Sequence, residues 1–334
     1  MILSDKLAVC PVLSEKTESY NNGSDKMNKR VLIISSAYMR LNACMQTLPG
    51  AAREAAGDGY DVMPGGRGVT AALTFRALGV DSILCSAAGD DMFGQQLYDF
   101  LGETGVDRRF VKRFKNSGTG LLLNVNENGR PPRTLRFPEA NALISQEDIE
   151  AAFMSYPDAV YIQNELPGRL TAFAANLARN KNVPVFWNPC PYPGRRADPP
   201  QVRLEAAVLE SSDVAAYCGV EPDEYSKFLP AALALASRVN AKYYIIRIPD
   251  RGAFIYDGLH TEMAGEYPST YLDEDGASTV YGAALCAAYV KTDGSVQKAA
   301  QLAAAAYAYS SSTKGEITSV PAARDIIRFL KKDR

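Results

Sequence analysis

The chain has 334 residues, with 36 Lys and Arg against 38 Asp and Glu, for a formal net charge of −2. This length suffices for one large α/β domain, while the balanced charge argues against nucleic acid or an anionic membrane as the main partner, and no apolar run approaches the ~18 residues of a membrane-spanning helix. Six cysteines without a C-x-x-C pair and a single histidine favour isolated thiols in a reducing, cytoplasmic setting over disulfides, zinc or a histidine triad.

The N-terminal segment, residues 1–28, is expected to be a disordered tail. It is polar, with the run Ser-Tyr-Asn-Asn-Gly-Ser-Asp at 19–25, and its apolar patches are too short for a signal peptide. Met27 lies directly before the first predicted strand and is a second candidate start. The folded domain is therefore expected to cover residues 29–334.

From residue 29 onward, short apolar runs alternate with helical stretches, which predicts a mostly parallel sheet covered by helices on both faces. The predicted buried strands are Val31–Ile34, Ile83–Ser86, Ala159–Gln163, Val185–Trp187 and Tyr243–Ile248. The predicted helices are Val69–Leu78, Phe93–Thr104, Leu170–Asn180, Tyr225–Asn240 and Ser295–Ser310.

Two regions interrupt this alternation and are expected to form a small second sheet. Residues 118–137 predict a hairpin that turns at Asn128-Gly129. With the glycine-bearing stretch 38–64, they predict a β lid built from about 38–64 and 116–138. The arginines on this lid are expected to form a solvated face: Arg130, Arg133 and Arg136.

Two stretches have the composition of a helix start that binds an anion. Gly65-Gly66-Arg67-Gly68 places three glycines just before a helix, where the backbone can approach a ligand closely. Residues 273–285 run from a polar turn into an Ala-rich helix, so free N–H groups and the positive end of the helix dipole gather there. Within this stretch Ser278 and Thr279 also favour helix N-caps, and the sequence leaves both roles open.

Further short motifs extend these two stretches into an ordered series. They are Ala87-Ala88-Gly89-Asp90-Asp91-Met92-Phe93-Gly94, Gly118-Thr119-Gly120, Glu139-Ala140-Asn141-Ala142-Leu143, Gln163-Asn164-Glu165-Leu166-Pro167, Trp187-Asn188-Pro189-Cys190-Pro191 and Lys314-Gly315…Ser319-Val320-Pro321. In this order and spacing, the chain from Val31 to the C-terminus resembles the ribokinase-like (PfkB-type) carbohydrate kinases.

The resemblance implies an α/β, ribokinase-like fold: a doubly wound, mostly parallel sheet with helices on both faces, plus a small β-sheet lid. Such a lid often mediates dimerisation, so a homodimer is implied. The implied reaction is transfer of the ATP γ-phosphoryl group to a hydroxyl of a sugar or nucleoside, with Mg²⁺. This transfer depends on positioning, charge stabilisation and one carboxylate base.

The implied substrate pocket consists of Arg40, Gly65, Gly66, Arg67, Thr70 and Glu165. Glu165 matches a glutamate that hydrogen-bonds substrate, whereas Arg40 stands where an aspartate usually contacts two sugar hydroxyls. Arg67 replaces a lysine, and Thr70 replaces an asparagine that contacts the sugar. An arginine in place of an aspartate inverts the local charge, which predicts a ligand that carries phosphate or carboxylate more readily than a neutral sugar.

The resemblance also implies a nucleotide side. Cys218 replaces the asparagine of an N-x-x-E element whose acidic end is Glu221, the element that organises Mg²⁺ and phosphate. Arg247 and Pro249 replace the threonine and first glycine of a T-x-G-x-x-G turn, and Gly252 is its last glycine. A proline there removes an N–H donor, so the nucleotide loop is expected to differ from the family pattern.

The catalytic segment departs most from the family. Its Gly-Ala-Gly-Asp has become Gly276-Ala277-Ser278-Thr279, so Thr279 stands at the position of the catalytic aspartate. Losing a general base typically costs about 10²–10⁴-fold in rate, and a threonine hydroxyl is too weak a base at neutral pH. Asp273, just upstream, matches a position associated with a monovalent-cation loop.

Three functional hypotheses follow. The first is a pseudokinase that still binds a sugar, nucleoside or sugar phosphate while phosphoryl transfer is strongly impaired or absent. The second is an active sugar or nucleoside kinase that uses Asp275 or Glu274 as base. The third is a regulatory or structural subunit that pairs with a partner through its lid.

Overall fold

The computed structural model describes residues 28–48, 54–130, 132–190, 199–272, 276–292 and 294–332. The predicted tail lies outside the described residues except for residue 28, and so does the candidate start Met27. Asp273, Glu274 and Asp275, which were assigned to the cation loop or considered as bases, also lie outside them.

The described residues form thirteen strands. They are β1 Arg30–Ile34, β2 Tyr38–Met45, β3 Gly59–Gly65, β4 Asp81–Gly89, β5 Val111–Phe114, β6 Leu121–Glu127, β7 Arg133–Phe137, β8 Ala159–Ile162, β9 Val185–Trp187, β10 Leu204–Glu210, β11 Ala241–Ile248, β12 Gly252–Tyr256 and β13 Thr261–Ala264.

The α-helices of the described residues alternate with these strands along most of the chain. They are α1 Arg67–Ala77, α2 Met92–Glu103, α3 Gln146–Phe153, α4 Gly168–Asn180, α5 Ser211–Cys218, α6 Tyr225–Ala236, α7 Ala277–Lys291, α8 Val296–Ser311 and α9 Ala323–Lys332. None of them is long and apolar enough to cross a membrane.

The larger sheet has nine strands in the order β13-β12-β11-β10-β9-β8-β1-β4-β5. Its pairs are parallel from β5 to β11, and β12 pairs antiparallel with β11 on one side and with β13 on the other. The alternation of side chains along β1 shows why both faces need cover. Val31 and Ile33 belong to a core cluster that includes α1, α7 and α8, whereas Leu32 and Ile34 belong to a second cluster with α3 to α6. The predicted doubly covered α/β sheet is confirmed.

The smaller sheet has the strand order β3-β2-β6-β7. Its β6–β7 hairpin turns at Asn128-Gly129, as predicted, and Gly129 has the positive φ of 73° that such a turn needs. Strand β2 starts only three residues after β1 ends, so the small sheet grows from the carboxyl edge of the large one. Ligand clefts of open α/β sheets lie at this edge.

Candidate functional site

Glu165 forms the centre of a buried polar cluster at the carboxyl edge. It lies three residues beyond β8, and its side chain is fully buried. One carboxylate oxygen accepts hydrogen bonds from Ser36 Oγ at 2.6 Å and Arg136 Nη1 at 2.8 Å, and the other accepts from Arg67 Nη1 at 3.2 Å. Burial alone would raise the pKa of Glu165, but the Arg67 and Arg136 charges outweigh it and lower that pKa, so the carboxylate is ionised.

Arg136 corrects one sequence-based expectation. This arginine does not lie on a solvated lid face, because its guanidinium crosses from β7 to Glu165 and lies 5.2 Å from the centre of the Tyr38 ring. A contact between residues 29 positions apart is not visible in local sequence patterns. Arg136 therefore ties the small sheet to the carboxyl edge of the large one.

A second buried ion pair joins the small sheet to the C-terminal part of the chain. Arg40 Nη1 on β2 lies 2.9 Å from Glu316 Oε2, and the same oxygen accepts the backbone N–H of Gly66 at 3.0 Å. A Cβ on Gly65 would lie 2.9 Å from this oxygen, so the glycine loop leaves the space that the carboxylate occupies. Glu316 was not among the predicted site residues.

Thr70, another predicted pocket residue, bonds to the backbone of Gly66 and not to the carboxylates of this cluster. It lies on α1, is fully buried, and its hydroxyl donates to the carbonyl of Gly66 at 3.3 Å. The structure thus brings together Arg40, Gly65, Gly66, Arg67 and Glu165, and adds Arg136 and Glu316 to them.

Helix α7 begins beside this cluster. Gly276 is its N-cap with φ 85°, and this residue makes no side-chain cap hydrogen bond. Ser278 and Thr279 lie within the first turn and are not the N-cap, so that interpretation is wrong. Among the residues that the structure describes, no side chain accepts from the N–H groups of this turn, which suits it to an anion. Thr279 is 2% exposed, and a Cβ on Gly276 would lie 3.0 Å from Glu316 Cγ.

Arg247 occupies the nucleotide side, at the end of β11. Its register neighbour on β10 is Glu210, which it holds in a bidentate pair with N–O distances of 2.8 and 2.6 Å. The guanidinium also lies 3.8 Å from the centre of the Tyr307 ring. The side chains of Arg247 and Glu210 are both largely buried. Arg247 is therefore part of the interior at the carboxyl edge of the sheet and not a surface residue.

The pair with i, i+3 spacing at this strand end is Glu210 and Asp213. These two residues form a capping box at the start of α5. Helix α5 is about 12 Å long at a rise of ~1.5 Å per residue. Cys218 is its last residue and Glu221 lies beyond it, so both are at the end of the helix that is far from β10. Glu210 and Asp213 are not among the predicted site residues, and β10 is not among the predicted strands.

These carboxylates do not fit direct ligation of Mg²⁺. Both oxygens of Glu210 are engaged by Arg247, and one oxygen of Asp213 accepts the backbone N–H of Glu210. No group of three or more His, Cys, Asp or Glu that could hold a metal ion occurs within the described ranges. A fixed guanidinium therefore supplies positive charge where the family pattern has a metal-organising element.

Gly252 is required by the β11–β12 hairpin. Its φ is 86°, and a Cβ there would lie 2.1 Å from the carbonyl oxygen of Ala264. Packing between neighbouring strands thus explains this glycine whether or not the turn contacts a nucleotide.

Asp213 predicts a measurable pH dependence. Because its folded-state pKa is raised to about 6, the native state binds a proton that the unfolded state has already lost. Stability should therefore fall by about 1–2 kcal/mol between about pH 5 and 7.5. Asp213→Asn removes this titration and keeps an acceptor for the Glu210 N–H. Urea unfolding of both proteins across this range should show the difference, and parallel pH profiles would contradict it.

Comparisons with known proteins agree with this geometry. The model of the pfkB family carbohydrate kinases matches residues 28–323. The ribokinase of Lactococcus lactis is 22% identical over 267 residues, which cover 76% of this chain and 82% of the relative.

Two solved structures share the fold. The Arabidopsis thaliana ribokinase complexed with ribose and ATP superposes with a TM-score of 0.81 at 19% identity, and the match covers 91% of this chain and 99% of the other. A fructokinase with bound ATP from Xylella fastidiosa gives 0.75 at 15% identity, with 92% and 99% covered. The chain belongs to the pfkB family of carbohydrate kinases.

Proposed function

We propose that this protein binds a small sugar or nucleoside, or a phosphate of either, in the cleft between the small sheet and the carboxyl edge of the large sheet. Phosphoryl transfer from ATP to that ligand is strongly impaired. The observation that carries the proposal is the first turn of α7, where a helix start suited to an anion persists while Thr279 supplies only a hydroxyl.

The charges in the cleft support a ligand without a net charge. The inverted charge at Arg40 predicted an anionic ligand, but each cleft arginine has a carboxylate partner. These pairs are Arg40–Glu316, Arg67–Glu165, Arg136–Glu165 and Arg247–Glu210. A phosphate or carboxylate in the cleft would have to compete with these internal anions for the same donors.

The nucleotide side supports weakened use of ATP. In this family ATP supplies the phosphoryl group, and Mg²⁺ bridges its phosphates and neutralises their charge. Here Arg247 and Glu210 satisfy each other, and Pro249 contributes no N–H to the turn. An ATP molecule would be positioned by the N–H groups of α7 without help from a free carboxylate at Glu210. A monovalent-cation site at Asp273 remains a prediction.

A binding and turnover screen tests the proposal. Thermal unfolding is measured with D-ribose, D-fructose, adenosine, their phosphates and ATP–Mg²⁺, because a ligand that binds only the native state raises Tm. A coupled assay of ADP release uses the same panel. We expect Tm shifts with at least one sugar or nucleoside and almost no ADP release. Turnover in the range of about 1–100 s⁻¹ that is typical of kinases would contradict the loss of activity.

We also propose that the small sheet mediates a homodimer, as the resemblance implies. Large apolar side chains are exposed on its outer strands, including Tyr60 on β3 and Leu135 and Phe137 on β7. Light scattering coupled to size-exclusion chromatography should give a dimer that Leu135→Lys weakens. A monomer at all concentrations would contradict this assembly and leave the ligand-binding proposal intact.

A further inference from the structure

Glu316 is a buried carboxylate to which the family pattern assigned no role. It follows α8 and is only 5% exposed, between the glycine loop of the pocket and the start of α7. Both of its side-chain contacts use Oε2, which accepts from Arg40 Nη1 and from the N–H of Gly66. Its other oxygen, Oε1, makes no hydrogen bond within the described part of the chain and is available to a ligand.

Arg40 fixes this carboxylate in place. The arginine is itself 8% exposed and held by the small sheet, where the side-chain amide of Asn124 lies 2.9 Å from its Nε. A charge-assisted pair with a guanidinium, together with a hydrogen bond from a backbone N–H, restricts the orientation of a buried carboxylate. Consequently Oε1 is held beside Oε2, the oxygen that contacts Gly65 and Gly66.

We propose that Glu316 is the ligand-recognition carboxylate of this pocket, in place of the aspartate that Arg40 has replaced. The acceptor has moved from β2 to the segment after α8, and Arg40 now positions it. The ligand class is a neutral polyol whose adjacent hydroxyls donate to Glu316 Oε1. This inference rests on the proposed function, since it names the ligand class and a specificity residue of the same cleft.

The neighbouring charges favour a neutral ligand over its phosphate. A phosphate near Oε1 would meet the buried carboxylate of Glu316, and the carboxylate of Glu165 is a second negative charge close to Arg67. Like charges in a buried site repel. Hydroxyl groups, by contrast, donate to a carboxylate in a charge-assisted hydrogen bond. A pocket built to accept hydroxyl protons discriminates strongly against ligands that lack them.

The experiment is isothermal titration with D-ribose, D-fructose and D-ribose 5-phosphate. Glu316→Ala should weaken binding of the preferred neutral sugar by about tenfold or more, the range for a hydrogen bond to a charged group. The double variant Arg40→Asp with Glu316→Ala returns a carboxylate to β2 and should restore affinity to within about threefold of wild type. Asp148→Asn, which breaks the distant Lys112–Asp148 pair, is the matched control and should bind like wild type.

The outcomes separate the two proposals. Sugar binding by wild type that Glu316→Ala leaves unchanged overturns the role of Glu316 and keeps the proposed function. An effect of Glu316→Ala on residual turnover alone would make Glu316 a base, and this also overturns its role in ligand recognition while keeping the proposed function. Tighter binding of D-ribose 5-phosphate than of D-ribose has the same consequence. Wild type that binds none of the three probes overturns the role of Glu316 in polyol recognition, and the proposed function falls as well if adenosine and the phosphates of the thermal screen also fail to bind. Should Glu316→Ala fail to fold, the double variant decides, because lost sugar affinity there contradicts the inference and retained affinity supports it.

Discussion

Thr279→Asp is expected to raise the rate of ATP-dependent phosphorylation by about 10²–10⁴-fold, the typical contribution of a general base. The substitution places a carboxylate on the first turn of α7, where Gly276 is the N-cap and no side chain of the described residues bonds to the N–H groups. The glycine loop and Glu165 already hold a ligand beside this turn in the proposed function. Only the proton acceptor would then be missing from the substrate side.

The gain is measured as ADP release in the presence of D-ribose or D-fructose. Thr279→Asn has nearly the shape of the aspartate without its charge, and Ser278→Asp places the same carboxylate one residue away. Neither control should gain activity, because the geometry of a general base is as important as its pKa. If Thr279→Asp still binds sugar but stays inactive, base loss is not the main defect, and the closed Arg247–Glu210 pair becomes the principal obstacle.

The fold could be predicted because its signals are local. The four apolar side chains of β1 point alternately into the two core clusters, and the dipeptide Asn128-Gly129 is typical of a hairpin turn. Strand β10 was missed although it is buried, because Glu205 and Glu210 interrupt its apolar run. The predicted N-x-x-E element stands at Cys218 and Glu221, whereas the residues with this spacing at the end of β10 are Glu210 and Asp213.

The site could be predicted only in part because its partners are distant in sequence. The ordered motifs located Arg40, the glycine loop and Glu165, and the structure brings these residues together. Glu316, however, lies 276 positions from Arg40. A carboxylate that is lost near Arg40 and supplied by Glu316 therefore cannot be recognised from the sequence around either residue. The arginines of the sequence therefore predicted an anionic ligand. In the structure, each of these arginines forms an ion pair with a glutamate of the same chain.

Glu165→Gln is expected to lower the free energy of unfolding by about 3–5 kcal/mol, because it removes a fully buried carboxylate and leaves two half-buried arginines without their counter-charge. Arg67 and Arg136 both depend on this carboxylate, whose side chain is fully buried. The wild type should also lose stability in acid. Since the folded-state pKa of Glu165 is lowered, its contribution is present above the unfolded pKa of about 4.3 and is lost as the pH falls through the folded value.

Urea unfolding followed by the fluorescence of Trp187 measures both effects. This residue is the single tryptophan, is fully buried, and donates its indole N–H to Asn164, the neighbour of Glu165. Asp148→Asn breaks a more exposed ion pair and should cost about 1 kcal/mol or less. Glu165→Gln should lack the wild-type loss of stability below about pH 4, because no carboxyl remains there to be protonated. Equal costs for the two variants, or an unchanged acid profile, would mean that water reaches Glu165 and that the cleft is more open than its hydrogen bonds indicate.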